Sequence, residues 1–455
     1  MLNSRLNARR AMAGYPETPL NTTIVDRHAE RRYDIQVQRN LTRNFIAHLC
    51  HGMLGQTGFR LLNAPTFLPA YIMLLSGGSQ LAVGVALSVQ SLGMTLTPMI
   101  GANLIEHRKR VLPVGFLTGG AMRATVLMIA LSGFFLKDTY TLGAIIFCLA
   151  LLGVFQGMQG VIFNFLMSKV IPVKKRGRLT GLRNFLAGIT SAAVAWAGGT
   201  WLLGEHPTAH GYSWTFLVAF LLTSAGLMML IAVREPEPPT VRSKQSLASR
   251  IGEVPGLLAS DPAFTRYFLA RSLATMGRMS MPFYILYAGQ SIGLSGNTLG
   301  MLTFAFTIAG TVSNLVWGFM ADRTGFRRTF LASIALWVLS TLVLLTASGL
   351  AATILVFIGI GAAQQGFQNS SQNLTLEFGE RDDLPMRIAI ANTASETAGT
   401  LGPLIGGILA AGLGYVSVFT MAMAFLTIGG LVVAVYVPEP RKQTLVLPDP
   451  DMGDT

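Results

Sequence analysis

Long apolar runs separated by short polar interruptions dominate this chain. Twelve runs begin near Phe45, Leu81, Val111, Leu142, Leu179, Trp214, Ala263, Leu299, Thr329, Ala351, Ile388 and Tyr415. Each approaches the roughly 20 residues that a helix needs to cross a bilayer. Polar stretches longer than a turn occur only at the two ends and in the middle. The pattern therefore predicts an all-α membrane protein with 12 transmembrane helices. A polar, unstructured tail over 1–42 precedes a six-helix block over 43–233. A linker over 234–262 leads to a second block over 263–437 and a tail over 438–455. Within the linker, Leu247, Ile251, Val254 and Leu258 share one helical face, as a short surface helix would require, although Pro255 opposes it.

Composition sharpens the class. Only 12% of the 455 residues are charged, and 51% are hydrophobic, whereas a soluble domain carries about a quarter charged residues. The net charge of +13 raises nucleic acid as a partner, but the positions of the charges dispose of it. If the spans alternate in direction, 29 of the 34 Lys and Arg lie on one side, and Lys137 stands alone on the other. This is the positive-inside pattern. It predicts a multi-pass protein of a bacterial inner (plasma) membrane with both termini and the linker in the cytoplasm, the lipid bilayer as its surroundings and no nucleic-acid partner. Cys50 and Cys148 both fall within spans and imply no disulfide framework. The Arg-rich N-terminus has no apolar core and does not read as a signal peptide.

The second block replays the first. QGMQ at Gln156–Gln159 recurs as QGFQ at Gln365–Gln368, and the same offset pairs Asn164 with Asn373 and Arg178 with Arg387. VREPEP after the sixth run is echoed by VPEPRK after the twelfth. GANLIEHRKR at Gly101–Arg110 has the shape of GFMADRTGFRR at Gly318–Arg328. A duplicated six-helix unit follows, with two pseudo-symmetric bundles.

The stretch from Gly318 to Arg328 resembles the loop signature of the major facilitator superfamily, G-x-x-x-D-R-x-G-R-R. Gly318, Asp322, Arg323, Gly325, Arg327 and Arg328 match it position by position. The resemblance implies the major facilitator fold, alternating access and a cytoplasmic gate. In that gate Asp322 would meet the start of helix 5 in the other half, where Arg178 and Arg183 sit. The first-half copy keeps Gly101 but departs elsewhere. Ile105 stands in place of the Asp, Glu106 comes one residue late, and Arg108 replaces the second glycine. The pattern of proton-coupled drug exporters in the same superfamily is incomplete. Gly153 occupies the position of its helix 4 Arg, and helix 5 retains only Gly198 and Gly199 of its glycine motif, with a related GPLIGG run at Gly402–Gly407.

Four arginines lie inside spans, where each costs several kcal/mol if it faces lipid. Arg123 is expected to pair within the protein. Arg60 shares a helical face with Gln56 and Asn63, and Arg278 shares one with Arg271 and Thr275. By the resemblance, helices 1 and 7 line the central cavity, so Arg60 and Arg278 become candidate substrate contacts and Arg271 a gating residue. Gln365, Gln368 and Gln372, with Gln156 and Gln159, would form a hydrogen-bonding wall, since amides facing lipid would go unsatisfied. Glu396 is the one acid well inside a span. It reads equally as a proton carrier and as a fixed counter-ion to an Arg. His48 and His51 read as interfacial hydrogen-bonders. No metal site, cofactor or catalytic group is indicated. The leading function is secondary active transport of a small organic solute by a monomer, the cationic residues favouring an anion and Glu396 allowing proton coupling. An exporter of amphipathic, drug-like compounds and a non-transporting sensor or assembly factor of the same fold are the alternatives.

Overall fold

A computed structural model describes residues 31–105, 108–237, 256, 258–259, 261–378 and 384–438. Glu106, most of the linker and residues 439–455 therefore lie outside it, as do Leu247, Ile251 and Val254. No strand occurs among the described residues. The helices are α1 (Leu41–Leu62), α2 (Phe67–Leu75), α3 (Gln80–Leu96), α4 (Pro98–Ile105), α5 (Leu112–Phe135), α6 (Asp138–Val170), α7 (Val173–Ala197) and α8 (Ala209–Met229) in the first half. The second half holds α9 (Pro262–Thr275), α10 (Met281–Ile292), α11 (Gly296–Thr324), α12 (Phe326–Thr346), α13 (Gly349–Leu376), α14 (Leu384–Leu413) and α15 (Tyr415–Tyr436).

Three spans are built from two helices each. Span 1 is α1 and α2, span 2 is α3 and α4, and span 7 is α9 and α10 joined by a 3₁₀ stretch, Met276–Ser280. This gives twelve passes, of which nine meet length and hydropathy criteria for crossing a bilayer. Span 1 breaks after Asn63, where Pro65 removes a backbone donor, and span 7 loosens ahead of Pro282. The breaks thus fall at matching places in the two halves.

The basic segments at Arg108–Arg110, Lys174–Arg178 and Arg323–Arg328, at the ends of spans, share one face, here called the basic face. Between the membrane middle and the opposite face, the two halves pack along α3 with α14 and α7 with α11. Thr66 and Thr303 exchange a hydroxyl hydrogen bond of 2.5 Å, and the Gly296 N–H donates to the Gly204 carbonyl at 2.7 Å. Thr95 bonds Thr400 at 3.1 Å nearer the middle. Gly84 and Gly407 cross backbone on backbone, and a Cβ added to Gly84 would stand 2.9 Å from the Gly407 Cα. None of the three ion pairs among the described residues joins the halves. The halves are therefore sealed on the opposite face and parted on the basic face.

Each half is pinned at its own basic end. Glu235, just past span 6, accepts hydrogen bonds from the Val111 and Leu112 N–H groups at 2.8–2.9 Å, and so caps α5, whose N-terminal dipole favours a carboxylate. The Lys169 ammonium at the end of α6 bonds the same carboxylate at 2.5 Å and the Lys109 carbonyl at 2.7 Å. Their side chains are only 6% and 3% exposed. In the second half Asp261 caps α9 through the Phe264 N–H and pairs with Arg387 at 2.5 Å. Residues 31–39, read from sequence as part of an unstructured tail, form a helix instead. Val37 is buried, and the Tyr33 hydroxyl donates to the Lys169 carbonyl at 2.8 Å. Burial there, reinforced by Asp34 and Glu235, pushes the Tyr33 phenol above its ordinary pKa.

Candidate functional site

Two chambers open between the halves. The larger, about 650 Å³, is walled by α3, α4 and α6 on one side and by spans 7, 9, 10 and 11 on the other. The smaller, about 360 Å³, lies between spans 1 and 5 and spans 8 and 10. Gln364 and Gln368, one turn apart on α13, line both.

Arg278 sits in the 3₁₀ stretch of span 7 with its side chain open to the large chamber. Glu396 of α14 is half-buried beside it. A Cβ added to Gly399 would stand 3.4 Å from an Arg278 Nη and 3.9 Å from a Glu396 carboxylate oxygen. The two flank one glycine without forming an ion pair. Arg271, 5% exposed, reaches the same chamber held by neutral partners, the Thr375 hydroxyl at 2.9 Å and the Asn392 amide oxygen at 3.1 Å. Arg271, read from sequence as a gating residue, thus lies in the wall of the chamber beside Arg278. Gln156 and Gln372 complete its amide lining.

Gln56, Arg60 and Asn63 line the small chamber together, as their shared face predicts, with Gln365 opposite. Arg60 occupies the last turn of α1 and donates to Gln56 at 3.3 Å. The free carbonyls of that helix end favour a cation there. Gln56 in turn donates to Asn184 at 3.0 Å. Gln90, an amide in the apolar middle of α3 and 6% exposed, donates to Asn63 at 2.7 Å and to Gln156 at 3.1 Å. It joins the amides of spans 1, 2 and 4. Gln90, Asn184 and Asn392 are site residues that sequence reasoning missed. Gln90 was findable, because an amide in the apolar middle of a span must find a partner.

Gln159 lines neither chamber. It is buried and donates to the Gly115 carbonyl at 2.9 Å and to Thr118 at 2.6 Å, which fastens α6 to α5. Arg123 is likewise turned inward, donating to the Thr223 carbonyl at 2.6 Å and the Gly119 carbonyl at 2.8 Å, with its guanidinium 5.6 Å from the centre of the Phe59 ring. Replacing Arg123 by alanine is expected to cost about 3 kcal/mol, since charge-assisted bonds are lost and buried carbonyls stranded. Solute affinity should hold, and thermal unfolding and ligand titration of the same preparation check the two halves of that statement.

On the basic face Asp322 and Arg178 are exposed and form no ion pair among the described residues. Arg183 instead lies along α1 against Gly52 within its own half. Arg323 stacks on Phe319 at 4.0 Å, and Arg327 donates to the Ala434 carbonyl at 2.6 Å. Gly325 turns the loop between α11 and α12 with φ +88°, a left-handed geometry that favours glycine. A Cβ on Gly318 would meet only open space, whereas Gly101 packs on the backbone of Met158 in its own half. Among the described residues no group of three or more His, Cys, Asp and Glu comes together.

Two repeated helix bundles around a polar cavity that opens to one face define a membrane carrier. A sequence profile of the Major Facilitator Superfamily matches residues 45–285 and 267–450, and the chain belongs to that family of transporters. Among curated proteins no sequence matches. Solved structures share the fold at low identity. A variant of the nucleoside transporter NupG superposes with a TM-score of 0.65 at 14% identity, covering 85% of this chain and 98% of its own. A bacterial homologue of the iron transporter ferroportin, in an inward-facing state, gives 0.65 at 12%, covering 87% and 98%. A bacterial homologue of the lysosomal transporter Spinster, inward-facing and unoccupied, gives 0.60 at 12%, covering 91% and 99%. The protein is a transporter of small molecules.

Proposed function

We propose that this transporter carries a small polar organic anion by alternating access and binds it in the large chamber at Arg278, with Arg271 behind. The observation that carries the reading is Arg278, a guanidinium open to the cavity with no carboxylate bonded to it. Among the described lining residues, a single Glu396 against two arginines leaves one positive charge in excess, the wrong sign for a cation. Guanidinium suits carboxylate and phosphate oxygens, and Gln156, Gln368 and Gln372 supply hydrogen bonds to a polar body. A volume near 650 Å³ suits a small organic ligand.

The basic face is assigned to the cytoplasm of a bacterial inner membrane by its Lys and Arg, so the conformation described faces inward, and the carrier acts as a monomer. Closing that face brings Asp322 toward Arg178 and Arg183 at the start of span 5. Glu396, beside Arg278, is the group placed to couple a proton to the solute. An amphipathic solute is the second reading, favoured by Met94, Met99 and Phe367 in the wall of the same chamber.

Flux into proteoliposomes tests the proposal with a panel of organic anions, cations and neutral sugars. Anion uptake is expected to fall about tenfold or more in Arg278→Gln, the loss of about 1.4 kcal/mol of charge-assisted binding, and to lose its pH dependence in Glu396→Gln. Wild-type anion uptake in Arg278→Gln, or transport restricted to cations or neutral compounds, would overturn the anion reading.

A further inference from the structure

We infer that the two chambers act as one receptor for a dicarboxylate, with one carboxylate held at Arg278 and the other at Arg60. The inference rests on the anion-carrier reading above and adds a second site to it. Gln364 and Gln368 line both chambers, so a single solute lying across them meets the two cavities at once. Arg60 is open to the small chamber and is bonded there to a neutral amide. No carboxylate lines that chamber, and the charged group near Arg60 is Arg183, of the same sign. The small chamber is thus a cationic pocket with no counter-charge among the described residues that line it.

The two arginines also lie near the corresponding interruption in each half. Arg60 ends α1 just before the break in span 1, and Arg278 lies in the last turn of the loosened stretch of span 7. For Arg60 the carbonyls at the end of α1 lower the cost of holding a guanidinium in the empty carrier. The charge count selects the ligand. The small chamber offers one net positive charge, and the large chamber offers one after Glu396 offsets Arg271 or Arg278. Two single charges, one at each end, match this better than one doubly charged phosphate. Gln364 and Gln368 line both chambers, and Asn63 and Gln365 line the small one from opposite halves. Because Arg60 belongs to the first half and Arg278 to the second, the bound dicarboxylate cross-links the two bundles.

The test uses the full chain, purified and reconstituted. Binding of succinate, adipate and suberate is compared with butyrate, hexanoate and octanoate, and adipate with its monomethyl ester. At the best-fitting length the dicarboxylate is expected to bind about tenfold or more tighter than the monocarboxylate of equal length. That advantage should vanish in Arg60→Gln and in Arg278→Gln alike, since either change leaves only one carboxylate site. The ester comparison needs no variant, so a misfolded Arg60→Gln does not stop the test. Equal affinity for adipate, suberate and their singly charged counterparts overturns the two-site receptor and leaves the single-anion carrier standing. An unchanged dicarboxylate advantage in Arg60→Gln does the same. Absence of binding to every anion in the wild type overturns both readings.

Discussion

Glu235→Ala is expected to destabilise the first half by about 3–5 kcal/mol, because it strands the buried Lys169 ammonium without its partner. The carboxylate does three things at once. It neutralises Lys169 at 2.5 Å, caps the Val111 and Leu112 N–H groups of α5, and fixes the chain leaving span 6. Losing the cap alone is worth about 1 kcal/mol. Glu235→Gln keeps an acceptor for the N–H groups but loses the charge, and should fall between the two. Removing both partners, as in Lys169→Met with Glu235→Leu, should cost less than the sum of the single changes, since no charge is then left buried. Unfolding curves in one detergent compare the wild type with these variants and with Lys169→Met and Glu235→Leu alone. A loss in Glu235→Ala under about 1 kcal/mol would place the pair with exposed ion pairs and refute the clamp.

Gly84→Val is expected to hold the opposite face apart and nearly abolish transport in a folded protein. Valine's Cβ would press on the Pro403 carbonyl and the Gly407 Cα of α14, which are backbone atoms with no rotamer to yield. Overpacking of this kind costs about 1–3 kcal/mol, and it acts only on the conformer in which the seam is shut. A bias of that size changes the ratio of two states about 5- to 150-fold. Cysteines at Asn297 and at Gln372 report the two faces in a background lacking Cys50 and Cys148. Labelling at Asn297→Cys should rise and labelling at Gln372→Cys should fall. Wild-type labelling at both positions, with transport retained, would show that the seam tolerates the side chain and does not set the equilibrium.

The twelve spans, the duplication and the family were legible in the sequence because bilayer thickness writes itself into hydropathy, and duplication into repeated motifs. The face shared by Gln56, Arg60 and Asn63 was equally plain, since helical periodicity fixes it without knowledge of the neighbours. What the sequence concealed depended on partners from distant spans. Gln159 looked like a member of the Gln365 and Gln368 wall, yet its rotation toward α5 is set by Thr118 and the Gly115 carbonyl. Glu235 read as a marker of the repeat, although it caps a helix more than a hundred residues earlier in the chain. The apolar positions near residues 31–39 were too few to announce a helix, and it is the contact with Lys169 and the burial of Val37 that settle it.

The interruptions in spans 1 and 7 have a mechanical consequence. A continuous helix transmits force along its whole length, whereas a jointed rod can bend its tip while its base stays clamped. The joint of span 1 lies just past Arg60 toward the sealed face, that of span 7 contains Arg278, and each base is fastened among its own bundle. Bending at Asn63–Thr66 and Met276–Ser280 therefore narrows the passage from that face alone, by moving two short levers, α2 and α10. The basic face has no such lever in spans 1 and 7 and must shut by the bundles swinging as whole bodies. The carrier is thus built with a hinged door at one end and a clamshell at the other, although its two halves descend from one repeated unit.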